Sequence, residues 1–101
     1  MSDESQIQSP RSFIDLFVPP GRVKPTETRE VIAERYELCE DLAQGLVDTA
    51  ETQRWSLGIT TEDVLQRIAQ GLATMDLPMG EAERGWVLSR LGELISDTRG
   101  A

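Results

Sequence analysis

Six carboxylates, Glu27, Glu30, Glu34, Glu37, Asp41 and Asp48, recur at separations of three, four or seven residues. That spacing places them on one face of a helix. Carboxylates in such numbers suggest a divalent-cation site, but side chains on one straight helix point outward and cannot enclose an ion. A dinuclear bundle site also needs Glu-x-x-His pairs, and the chain has no histidine. The commonest general base and the commonest metal ligand are therefore absent. The stripe reads either as a solvated face or as a docking face for a basic partner. The single cysteine, Cys39, has no histidine to activate it and is expected to be a small buried hydrophobe. No catalytic, cofactor-binding or metal-ligating residue is expected, and the chain reads as a non-enzyme.

Other residue types point to contacts rather than reactions. Arg35 projects from the apolar half of its helix, between Val31, Leu38 and Leu42. A buried guanidinium needs a carboxylate or a route to solvent, so a structural ion pair is expected, with an anion anchor as the alternative. Gly85, Ser89, Gly92 and Ser96 fall on one side of another helix. Small residues at that spacing permit close backbone approach, by a neighbouring helix or by a second copy. Trp86, Met79 and Ala82 lie off the apolar stripe of the same helix, and Trp55 lies off that of the first; off-stripe tryptophans mark an interface or a covered surface. The segment Phe13-Ile14-Asp15-Leu16-Phe17-Val18 has five apolar residues in six and is too short to fold alone. As one helical turn it presents Phe13, Leu16 and Phe17 together, the form of a helix-in-groove anchor. It can dock on its own body, exchange with a second copy, or bind a partner.

These residues need helices to position them. The first helix is expected over about 27–55, from an N-cap at Thr26 to a left-handed Gly58. The second should run over 61–75, with Thr60 as N-cap, Asp63 at its third position and Ile59 stapled onto Val64. The third should run over 80–96, with Gly80 and Glu83 at its start. Apolar residues cover about half of the first helix, as a helix with two neighbours requires. The fold class is therefore all-α: a three-helix arrangement with a long first helix, preceded by a proline-rich arm containing a short helical turn. The arm (1–25, apolar at 13–18) is expected to be flexible and residues 1–8 disordered; the helical domain covers 26–101.

The 101 residues suit one small domain. Ten basic residues against eighteen acidic ones give a net charge of −8. That field repels a polyanion, which argues against nucleic acid. Four of the five prolines fall within 9–25, where the local charge is +2, and 26–101 carries −8. A single cysteine gives no sign of an oxidising compartment. There is no run of apolar residues long enough to span a bilayer, and the acidic start is unlike a signal peptide. A cytoplasmic location without membrane attachment is expected.

The stretch Pro10-Arg11-Ser12-Phe13-Ile14-Asp15-Leu16-Phe17-Val18-Pro19-Pro20-Gly21-Arg22, followed by Arg29-Glu30-Val31-Ile32-Ala33-Glu34-Arg35-Tyr36-Glu37-Leu38-Cys39-Glu40-Asp41, resembles a family of short bacterial proteins of unknown role. Some members bear the label "ATPase with chaperone activity". The resemblance implies a small bacterial protein. The label finds no counterpart in the residues: there is no G-x-x-x-x-G-K-[ST] loop, and the one lysine, Lys24, lies in the arm. The expected role is a protein–protein interaction module (adaptor, regulator or accessory subunit), with a homodimer as one form. The candidate contacts are Phe13, Ile14, Leu16, Phe17 and Trp86 for a partner, and Gly85, Ser89 and Gly92 for a second copy. The alternatives are a nucleotide-linked chaperone or ATPase, and a small-ligand carrier anchored on Arg35.

Overall fold

The computed structural model describes residues 9–100, with side chains as far as Ser96; residues 1–8, expected to be disordered, lie outside the described residues. Among these residues the chain is all-helical, with no strand. The elements are α1 (Arg11–Ile14), a 3-10 turn (Asp15–Phe17), α2 (Arg29–Gly45), α3 (Val47–Leu57), α4 (Thr61–Ala73) and α5 (Glu81–Gly100). The chain divides into two compact units between Leu38 and Cys39.

In the first unit, the fully buried Phe13 ring lies 5.5 Å from Phe17 and 5.7 Å from Tyr36, centroid to centroid. Both spacings suit aromatic pairs. The Thr26 amide and hydroxyl both donate to the Phe17 carbonyl, at 2.8 and 3.2 Å. Thr26 therefore fastens the proline-rich loop and does not cap a helix. The cap falls to Thr28, whose Oγ1 accepts from the Val31 amide at 3.2 Å, and α2 starts at Arg29.

The long first helix is present but bent. Its two parts, α2 and α3, meet at Leu46, whose amide is shared between the Leu42 and Ala43 carbonyls at 3.0 and 3.2 Å. Gly45, the residue before it, is a weak helix former. Gly58 ends α3 in the left-handed region (φ 64°), and its amide and that of Ile59 both return to the Arg54 carbonyl. Three residues later α4 opens as the sequence predicts: Thr60 Oγ1 accepts from the Asp63 amide at 3.0 Å. It closes two residues earlier than expected, because the Thr74 hydroxyl takes the Gly71 carbonyl at 2.8 Å. Met75 is left half-exposed. At the start of α5 the buried Glu83 accepts from the Gly80 amide at 3.2 Å.

The second unit is built on α3, α4 and α5, which pack on one another. Its core is Ala50, Val64, Ile68, Leu72, Leu91 and Ile95, flanked by half-buried Leu46, Val47, Ile59, Leu65, Leu77 and Leu88. Met79, which the helical wheel sets off the stripe, is also buried.

Candidate interaction surface

Helical period places Glu30, Glu34, Glu37 and Asp41 on α2 and Asp48 on α3, whereas Glu27, expected in the first helix, lies ahead of α2 because that helix starts only at Arg29. Glu27, Glu30, Glu34, Glu37, Asp41 and Asp48 are all exposed. No group of three or more metal-ligating side chains converges among the described residues.

Glu40 and Arg90 form a two-pronged ion pair in the second unit. Arg90 Nε donates to Glu40 Oε1 at 2.9 Å and Nη2 to Oε2 at 3.1 Å, while Nη1 reaches Glu93 Oε1 at 3.1 Å. Gln44 Nε2 adds a donor to Glu40 Oε2 at 2.9 Å. The Arg90 hydrogen bonds hold the Glu40 carboxyl below its ordinary value against the opposing effect of burial, and Gln44 assists. Glu40 in turn raises the Arg90 guanidinium. This fork fastens α2 to α5. No local pattern signals the pairing, which joins positions fifty residues apart.

In α3, Arg54 Nη2 donates to Glu51 Oε1 at 2.8 Å. Glu51 Oε2, Gln53 Oε1 and Arg54 Nε are shut off from solvent without a hydrogen-bond partner. Such atoms are uncommon.

The two tryptophans differ. Trp86 is half-buried, whereas Trp55 is 85% exposed and Leu57, two residues on, is half-exposed. Of the arm residues, Phe13 is fully buried and Ile14, Leu16 and Phe17 are half-buried. Arg35 is half-buried.

The small-residue stripe of α5 has two parts. A Cβ on Gly92 would stand 3.2 Å from Leu65 Cδ1, so here α4 and α5 approach closely. A Cβ on Gly85 would meet nothing within 4 Å, and Ser89 is exposed. Beside Gly92 a shallow open groove runs between α4 and α5, lined by Thr61, Glu62, Leu65, Gly92, Glu93 and Ser96; Arg35 is not in its lining. The sequence marks Gly92 and Ser96 as one stripe, but the groove depends on where α4 lies, which no local pattern carries.

No helix among the described residues is long and apolar enough to cross a membrane. No protein-family model, curated protein or solved structure matches the chain.

Proposed function

We propose that this chain is a non-enzymatic protein–protein interaction module of the cytoplasm, serving as an adaptor, regulator or accessory subunit. The observation that carries this reading is Trp55. An indole 85% exposed to water is a large apolar surface with nothing in the described chain to cover it. Tryptophan is among the residues that dominate the energetics of protein interfaces. The half-exposed Leu57 extends the same end of α3. The arm residues Phe13, Ile14, Leu16 and Phe17 are a second contact, which a partner reaches only by drawing Phe13 from its place beside Phe17 and Tyr36.

A photo-crosslinking amino acid at the exposed Ser56, beside an intact Trp55, used in cells of the source organism, tests the proposal. A discrete protein adduct is expected at position 56 and not at the exposed Arg67, and Trp55→Ala should abolish co-purification of the same protein. Equal labelling at both positions, or co-purification undiminished by Trp55→Ala, would refute it.

A further inference from the structure

Resting on the interaction-module reading, the partner's chemistry follows from the groove between α4 and α5. Its lining includes the apolar or small pair Leu65 and Gly92, near enough that a Cβ on Gly92 would stand 3.2 Å from Leu65 Cδ1. Carboxylates line it from both helices, Glu62 from α4 and Glu93 from α5, together with Thr61 and Ser96. Glu62 makes no ion pair among the described residues, and Glu93 shares Arg90 with Glu40. The three-residue connection from Gly58 to Thr60 brings the start of α4, and with it Glu62, to the end of α3 that carries Trp55 and Leu57.

The exposed charges of the second unit are one-sided. Over 39–96 the exposed carboxylates are Asp41, Asp48, Glu62, Asp63, Asp76, Glu81 and Glu93, whereas Arg67 is the one exposed guanidinium. Arg54, Arg84 and Arg90 are each engaged, with Glu51, the Met79 carbonyl, and Glu40 with Glu93 respectively. An equally acidic face of a second copy would be repelled, and so would a polyanion. A small apolar patch flanked by carboxylates suits a short amphipathic helix. Such a helix would lay its apolar side chains on Leu65 and Gly92 and its lysines or arginines against Glu62 and Glu93. We propose that the α4/α5 groove docks a basic amphipathic helix of a partner protein.

The test uses the full chain and a labelled sixteen-residue peptide of leucine, alanine and lysine, its lysines on one helical face, followed by fluorescence anisotropy. A matched peptide with glutamate for lysine is the control. The basic peptide should bind, and its affinity should fall as salt rises. Glu62→Lys, which reverses one lining charge, and Ser96→Phe, which fills the groove, should each weaken binding by about tenfold or more. Thermal melts confirm that the variants fold, and Glu62→Gln serves as a milder change if Glu62→Lys does not. Equal binding of the acidic peptide, no binding of the basic one, or unchanged binding by folded Glu62→Lys and Ser96→Phe would overturn the assignment. A dimer of the chain alone that Ser96→Phe dissolves would put a second copy in the groove and equally overturn it. If Trp55-dependent crosslinking persists while the basic peptide fails, only the groove's assignment falls; if crosslinking also fails, the module reading falls with it.

Discussion

Arg90 shows how much one side chain can organise when its fork is fully used. Its guanidinium engages both oxygens of Glu40 and also reaches Glu93. Arg90→Ala is expected to cost about 1–2 kcal/mol, between the worth of an exposed ion pair and that of a charged hydrogen bond in the interior. The pH dependence has a definite sign. The Glu40 carboxyl is held below its ordinary 4.5 in the folded chain. Its contribution is complete above that value and is lost as pH falls through the lowered one. The gap in melting temperature between wild type and Arg90→Ala should therefore be widest at neutral pH and shrink on acidification towards pH 3. A gap that stays constant would mean that packing of the arginine stem, not the charge pair, carries the effect. Residue-level signals were legible where they are local. Thr60, Asp63 and Gly58 act as their neighbours in sequence dictate. Thr26 did not, because the Phe17 carbonyl nine residues earlier draws both its amide and its hydroxyl, and the cap moved to Thr28.

Elements follow the same division. Apolar periodicity located the starts of α4 and α5, since Val64, Ile68, Leu72, Val87, Leu91 and Ile95 recur on one side of each helix and are buried, but α4 ends two residues before the expected 75 and α5 runs four residues past the expected 96. Periodicity gave no warning of the bend at Leu46, because an apolar pattern continues through it and only Gly45 hints at a weak point. The small-residue stripe of α5 separates into two kinds of glycine, and substitution should tell them apart. Gly85→Ala enters open space and should stabilise the protein by roughly 0.5–1 kcal/mol, the propensity difference in a helix interior. Gly92→Ala must push Leu65 Cδ1 away from 3.2 Å and should gain markedly less, or lose stability. Chemical denaturation of the two variants side by side reads the difference. An equal gain in both would show that Leu65 yields freely and that the close approach of α4 to α5 does not depend on the glycine.

At the scale of the whole chain, the two units have different cores. The first relies on Phe13 and Ile32, with Phe17 tilted against Phe13 and Tyr36 edge-on to it; the second has a larger aliphatic cluster shared by three helices. Phe13→Ala removes a fully buried ring, a change that typically costs about 3–5 kcal/mol. Hydrogen exchange should show protection lost over 9–38 while α4 and α5 keep theirs. Loss spread evenly over both units would mean that they open together. Charge is the other whole-chain property, and it was legible from composition alone. The seven exposed carboxylates of 39–96 outnumber all four of its arginines, and the margin widens because three of those arginines are held by neighbours.

The lone thiol offers a final consequence. Cys39 is fully buried within α2, so a thiol reagent such as dithionitrobenzoate can reach it only when its surroundings part. With reagent in excess, the rate of colour development becomes a clock for that opening, read without any label or mutation. At low reagent the rate tracks how often the open form is populated; at high reagent it levels off at the opening rate itself. The chain thus carries its own stopwatch in the middle of α2.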